Sequence, residues 1–163
     1  RGTQKGINKT IIGNNNLFMA YTHVAHDCIV KNDCILSNAA SLAGHVEIHD
    51  HVTLGGFTLV HQNCILGEYA FSGLGTVISM DVTPYTLVAG NHAQAYKINS
   101  AGLKRKGFDA DLISALEKTF KIFIKSKSSR DASMKAFEEA GLDYPEVHNF
   151  IKFIESSKRG VTR

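Results

Sequence analysis

The stretch that decides the fold is Leu36-Ser37-Asn38-Ala39-Ala40-Ser41-Leu42-Ala43-Gly44-His45-Val46-Glu47-Ile48-His49-Asp50-His51-Val52-Thr53-Leu54-Gly55. A bulky aliphatic stands at Leu36, Leu42, Ile48 and Leu54, and four residues after each comes a small or β-branched side chain: Ala40, Val46, Val52 and Thr58. Stepping outward by six keeps the phase. Ile12, Phe18, Val24 and Val30 precede the stretch, and Val60, Leu66, Ser72 and Ile78 follow it. Eleven of these twelve positions are aliphatic or aromatic, and eleven of the twelve at the small position fit as well, Asn16 being the exception. Neither the alternation of an open strand nor the 3.6-residue period of a helix produces this; a fixed short repeat does. An aliphatic every sixth residue fills a narrow interior, and the small inward residue lets the chain turn. The position after each aliphatic is often Gly or Ala, as at Gly13, Ala25, Ala43, Gly55, Gly67 and Gly73, and such residues are expected to accept the turn dihedrals.

Three hexapeptides close one triangular coil of 18 residues, so residues 12–83 predict four coils, stacked as parallel strands about 4.8 Å apart. The pattern resembles the left-handed parallel β-helix of the hexapeptide acyltransferases. The repeat stops at Asp81-Val82-Thr83-Pro84, where proline is expected to break the ladder. The organisation predicted is a β-helix over 1–84, a connecting segment over 85–100 and a small α-helical domain over 101–163. In that domain Asp109 is a candidate N-cap for a helix carrying Leu112, Leu116, Phe120 and Phe123 on one face. A second helix runs from Ser128 to Gly141, and a third starts at Asp143-Tyr144-Pro145. The helices cap one end of the solenoid, where a bare stack of strands would invite aggregation. The other end shows no such cap, and the chain opens on Arg1, so further N-terminal coils are expected in the parent protein.

Charge divides along the same line. Residues 1–96 hold four Lys/Arg and six Asp/Glu, whereas 97–163 hold fourteen and nine. The basic half predicts an acidic partner; nucleic acid fits less well, because no aromatic-interleaved basic motif accompanies the charge. No apolar run is long enough to cross a membrane, and no secretion signal is visible. The three cysteines, Cys28, Cys34 and Cys64, all fall on the small inward position, which reads as free core thiols in a reducing compartment.

The period also organises the histidines. Residues 18 apart stack, so Ala25, Ala43 and His61 form one column, His26, Gly44 and Gln62 the next, and Asp27, His45 and Asn63 the third. His26, His45 and His61 therefore share one corner, with His23 three residues upstream of His26. Two chemistries suit such a cluster. A histidine can act as general base, oriented by Asp27, with the backbone N–H of Gly44 stabilising an oxyanion. Alternatively, three histidines from neighbouring chains can bind zinc, as in β-helical carbonic anhydrases. His49, His51 and His148 lie away from the corner and receive no role.

The segments Ala25-His26-Asp27-Cys28, Leu42-Ala43-Gly44-His45-Val46, Val60-His61-Gln62, Gly90-Asn91-His92-Ala93 and Gly102-Leu103-Lys104-Arg105-Lys106-Gly107-Phe108 resemble those of the UDP-N-acetylglucosamine O-acyltransferases of lipid A synthesis. The resemblance extends through Tyr144-Pro145-Glu146-Val147 to Arg159-Gly160. It implies transfer of an (R)-3-hydroxyacyl group from acyl carrier protein to the 3-hydroxyl of UDP-N-acetylglucosamine, in the cytoplasm of a Gram-negative bacterium, by a homotrimer with sites between neighbouring solenoids and without cofactor or metal. His26 would be the base, Asp27 its orienting acid and Gly44 the oxyanion donor. His23, His45, His61 and Gln62 would line the sugar and acyl site, His92 the far end of the acyl groove, and Asn99 and Arg105 the nucleotide side. Lys104, Arg105 and Lys106, with Lys118, Lys121 and Lys125 on one helix face, would dock the acidic carrier protein. Leu74 stands where some relatives carry glycine, which implies a shorter acyl pocket. The related N-acyltransferase of the pathway, the zinc enzyme and a non-catalytic trimeric scaffold are the competing readings.

Overall fold

A computed structural model describes residue 3 and residues 5–163; Arg1, where the expected solenoid span begins, lies outside the described residues. Twelve two-residue strands alternate among three parallel sheets. The first holds Ile11–Ile12, Ile29–Val30, Glu47–Ile48 and Ile65–Leu66; the third holds His23–Val24, Ser41–Leu42, Leu59–Val60 and Val77–Ile78. Between them runs the second, of Leu17–Phe18, Ile35–Leu36, Thr53–Leu54 and Phe71–Ser72, extended by Thr86–Ala89 and Gln94–Ile98. Partners such as Ile11 and Ile29, Leu17 and Ile35, and His23 and Ser41 are 18 residues apart, the spacing of one coil. The result is a left-handed parallel β-helix followed by helices.

The interior is what the repeat predicts. Leu36, Leu42, Ile48 and Leu54 are wholly or almost wholly buried, and Cys28, Cys34 and Cys64 are fully enclosed beside them. Burial pushes the Cys34 and Cys64 thiols up to about 11 and raises Cys28 as well, so none is a nucleophile at neutral pH. At the lower edge Ile12 is 50% exposed, although Val30, Ile48 and Leu66 in the same column are covered by the coils around them.

The corners turn differently from the expectation. The residue that enters the left-handed region is not the one after the aliphatic but the third after it: Asn15, Tyr21, Asp27, Asp33, Ala39, His45, His51, Phe57, Asn63 and Tyr69 all have φ near +60°. The glycines after the aliphatics serve closeness instead. A Cβ on Gly55 would lie 2.6 Å from the Ser72 carbonyl oxygen, and one on Gly67 2.5 Å from the Pro84 nitrogen.

Segment 85–100 is not a simple connection. Val82 pairs with Leu66, and Thr86–Ala89 lies parallel to Phe71–Ser72 with Leu87 opposite Phe71, a spacing of 16 rather than 18. Buried Val82 and Val88 continue the interior, so a shortened fifth coil passes Pro84. Gln94–Ile98 then turns back antiparallel and forms the last strand of the second sheet, with α2 (Ala110–Phe120) packed on it.

A first short helix, α1 (Ser100–Arg105), lies outside the expected set; Asn99 caps it by accepting from the Gly102 N–H at 3.2 Å. Asp109 does precede α2 but makes no side-chain cap hydrogen bond, and the helix loosens into a π turn over Lys121–Lys125. Helices α3 (Arg130–Ala140), capped by Ser129 and ended by left-handed Gly141, and α4 (Pro145–Ser156) follow. Among the described residues no helix is long and apolar enough to cross a membrane.

Candidate active site

His23 opens a strand of the third sheet, and the chain turns the corner toward the first sheet at Ala25, His26 and Asp27. One coil up, the same corner holds Ala43, Gly44 and His45; one coil further, His61, Gln62 and Asn63. The register that stacks His23 on Ser41 and Val24 on Leu42 fixes these columns, as does the hydrogen bond from the His45 N–H to the His26 carbonyl at 3.1 Å.

His26 and Asp27 form a dyad, with Nδ1 3.0 Å from Oδ2. The imidazole is 39% exposed, the carboxylate only 1%. Three donors converge on that enclosed carboxylate: His26, the Thr3 hydroxyl at 3.0 Å and the Asn8 N–H at 2.8 Å. Burial pushes the Asp27 carboxyl up, but the hydrogen bonds from His26, Thr3 and Asn8 outweigh it and hold the group below its ordinary value. The dyad's contribution to stability is therefore present above the ordinary carboxylate value and is lost as pH falls through the lowered one. At neutral pH Asp27 is an anion, and its position at Nδ1 puts the proton there and leaves Nε2 bare as a proton acceptor.

Gly44 lies so close over this ring that a Cβ would meet His26 Cε1 at 2.5 Å and Nε2 at 2.7 Å. The Gly44 N–H makes no backbone hydrogen bond among the described residues. His45 closes the other side, its ring 5.0 Å from that of His26 and at 85° to it. The arrangement offers a base, an orienting anion and a backbone donor within one corner.

The remaining expected residues separate into groups. His61 and Gln62 are exposed on the same corner. Leu74, 78% exposed, and His92 lie on the corner between the second and third sheets, so the outer face of the third sheet connects them to His26. Each coil climbs about 4.8 Å, which places Leu74 roughly 14 Å above the coil of His26. Asn99 spends its amide on the cap of α1 and on the Tyr69 carbonyl at 3.3 Å, while Arg105 is exposed at the end of that helix. Lys104, Lys106, Lys118, Lys121 and Lys125 are all exposed on α1, α2 and the turns after them; Lys125 also lies 5.8 Å over the Phe120 ring.

For metal, the group among the described residues whose ligand atoms come within 4.8 Å of one another is His26, Asp27 and His45, without His61; among those residues one chain thus offers no three-histidine cage at this corner. The sequence reading missed Thr3 and Asn8 below the dyad. It also missed Arg159, whose Nη1 reaches His61 Nδ1 at 3.3 Å. Asn8 stands 18 residues before His26 rather than Asp27 and bonds through its backbone N–H, so its side chain carries no signal for the contact; Arg159 stood only within the family resemblance, with no role attached.

Comparison with known proteins agrees with the fold. The family model for UDP N-acetylglucosamine O-acyltransferase, domain 2, matches residues 81–162, and the bacterial transferase hexapeptide model matches residues 9–44. The acyl-[acyl-carrier-protein]–UDP-N-acetylglucosamine O-acyltransferase of Alkalilimnicola ehrlichii is 44% identical over 163 residues, all of this chain and 63% of that protein. The solved UDP-N-acetylglucosamine O-acyltransferase of Moraxella catarrhalis superimposes with a TM-score of 0.93 at 37% identity, covering 100% of this chain and 63% of that one. For the enzyme of Bacteroides fragilis the values are 0.95 and 33%, covering 100% and 64%. The chain thus spans about 63% of the length of the curated relatives it matches. With its C-terminal half matched by that model and its whole length aligned to such enzymes, the chain belongs to the UDP N-acetylglucosamine O-acyltransferase family.

Proposed function

We propose that this chain carries the catalytic corner of an enzyme that moves an (R)-3-hydroxyacyl group from acyl carrier protein to the 3-hydroxyl of UDP-N-acetylglucosamine. The observation that carries the reading is the His26–Asp27 dyad beneath Gly44. His26 Nε2 takes the proton of the sugar hydroxyl as its oxygen attacks the thioester carbonyl. The Gly44 N–H faces the oxyanion of the tetrahedral intermediate. Collapse forms the ester and breaks the carbon–sulfur bond, and the protonated His26 returns its proton to the leaving thiolate. The cysteines are sealed in the core, which supports direct transfer without an acyl-enzyme.

The rest of the site is completed between chains in this reading. His23, His61 and Gln62 lie open on the outside of one solenoid, which suits a homotrimer whose neighbouring solenoid forms the second wall. Asn99 and Arg105 serve the nucleotide side; Asn99 has one amide hydrogen and one lone pair left beyond its cap bonds. The carrier protein, strongly acidic, docks on Lys104, Arg105, Lys106, Lys118, Lys121 and Lys125, and the unpaired interior thiols suit a reducing cytoplasm.

The direct test is to supply UDP-N-acetylglucosamine and (R)-3-hydroxyacyl carrier protein and identify the product by mass and linkage. An ester at the 3-hydroxyl is expected. Acylation only of an amine on an O-acylated sugar nucleotide would replace this reading with the related N-acyltransferase, and activity abolished by chelation and restored by zinc would replace it with metal chemistry. Leu74 gives a second prediction. Its exposed side chain stands over Gly56, about three coils above the base, and shortens the space for an acyl tail lying along the third sheet. Leu74→Gly is expected to shift the preferred donor toward longer chains, read from rates across a donor series. An unchanged profile would remove Leu74 from the acyl site.

A further inference from the structure

His61 is reached from the far end of the chain. After α4 the backbone runs back along the top of the histidine corner: the Asp81 N–H donates to Gly160 O at 3.1 Å, the Thr162 N–H to Asp81 O at 2.7 Å, and the Ser157 hydroxyl to Asp81 Oδ2 at 2.6 Å. These bonds hold Arg159 so that one guanidinium nitrogen, Nη1, lies 2.8 Å from the Ser79 carbonyl oxygen and 3.3 Å from His61 Nδ1. That nitrogen carries two hydrogens, one for each acceptor.

His61 Nδ1 also lies 3.1 Å from the carbonyl oxygen of Gln62. The two neighbours make opposite demands: a carbonyl oxygen only accepts, so it needs a proton on Nδ1, whereas a guanidinium only donates, so it needs Nδ1 bare. The guanidinium offers donors only, is anchored by Ser79 O, and forms the stronger, charge-assisted bond. The Gln62 carbonyl belongs to an exposed turn, where water can satisfy it instead.

We propose that Arg159 is a positioning residue of the active corner, holding His61 in the tautomer protonated on Nε2. His26 is held in the opposite sense, because the Asp27 carboxylate draws its proton to Nδ1. One carboxylate and one guanidinium thereby make two identical side chains on one corner into an acceptor and a donor. The acceptor suits the sugar hydroxyl. The Nε2–H of His61 suits an oxygen of the bound substrate, a carbonyl or phosphate oxygen that can only accept. What the donor is used for rests on the acyl-transfer reading; the tautomer itself does not.

The test is nitrogen-15 NMR of the chain labelled at its imidazoles, at a pH where the rings are neutral, with His61 signals assigned by their loss in His61→Gln. Coupling patterns between ring nitrogens and carbon-bound hydrogens identify the protonated nitrogen. His61 is expected as Nε2–H and His26 as Nδ1–H; finding His61 as Nδ1–H in the unsubstituted chain overturns the proposal without any variant. Arg159→Met is expected to move His61 toward Nδ1–H, with His26 and the melting temperature unchanged, while Lys158→Met leaves His61 as it is. An unmoved His61 in Arg159→Met also overturns it. In assays, Arg159→Met should raise KM for the sugar nucleotide roughly tenfold, the loss of about one hydrogen bond, with a smaller change in kcat and partial rescue by Arg159→Lys. A shifted tautomer with KM and kcat both unchanged overturns the use of the donor. An unsubstituted chain with the expected tautomer but no acyl transfer counts against the functional reading alone.

Discussion

Replacing His26 by alanine is expected to lower acyl transfer by roughly a hundredfold or more while leaving the fold intact. The imidazole is partly exposed on a corner and fills no part of the interior, so its loss opens no cavity. Asp27 retains the Thr3 hydroxyl and the Asn8 N–H, which keep its carboxylate satisfied in place. The effect therefore falls on the proton acceptor. Asp27→Asn should fall short of the same loss, because asparagine tolerates the left-handed backbone there but no longer draws the proton to His26 Nδ1. The double substitution should be no worse than His26→Ala, since the carboxylate acts only through the ring. Rates within a few-fold of the unsubstituted chain for His26→Ala, at equal melting temperature, would take the base away from His26.

The second large effect is expected at Gly44. A single methyl there would lie 2.7 Å from Nε2, the atom that must take the proton, and 2.5 Å from Cε1. Such contacts are not tolerated, so either the ring or the corner moves. The ring is the softer element, because it faces solvent on one side, whereas the corner backbone is tied to the coils around it through the His45 N–H and the Gly44 carbonyl. Gly44→Ala should therefore displace His26 from its carboxylate and from the hydroxyl it serves. A loss of about a hundredfold in kcat is expected from misplacement on the ångström scale, with little change in melting temperature. Activity within a few-fold of normal would mean that neither the ring nor the Gly44 N–H lies at the reacting atoms.

Much of this was legible in the sequence because the repeat converts position along the chain into position in space. Counting by 18 places Gly44 over His26 and His45 beside it, and the structure holds them there through a register of the same length. The count fails where other forces set the geometry. The left-handed residue sits three after each aliphatic, a choice made by how the coil closes rather than by which residue is smallest. The fifth coil shortens its spacing to 16, so Val88 left the phase that would have revealed it. Helix α1 is only six residues with a single buried side chain, Leu103, which leaves no apolar period to read. Arg159 and His61 are 98 residues apart, brought together only by the folding of the tail onto Asp81. Contacts of that kind leave no mark in a local pattern.

The 18-residue register of the first four coils has a consequence for how such a chain can change in length. One residue added or lost between Cys28 and Gly44 turns every later side chain to the wrong face unless it is pushed out as a bulge at a corner. The base and its oxyanion donor would then face different directions, although neither had been altered. A gain or loss of a whole coil outside that interval, by contrast, keeps all three columns in phase and merely changes how far apart the two ends of the groove stand. Lineages that share this corner should accordingly vary in length by loops thrown out at the turns or by multiples of 18, and hardly ever by the small insertions that ordinary surface segments accept.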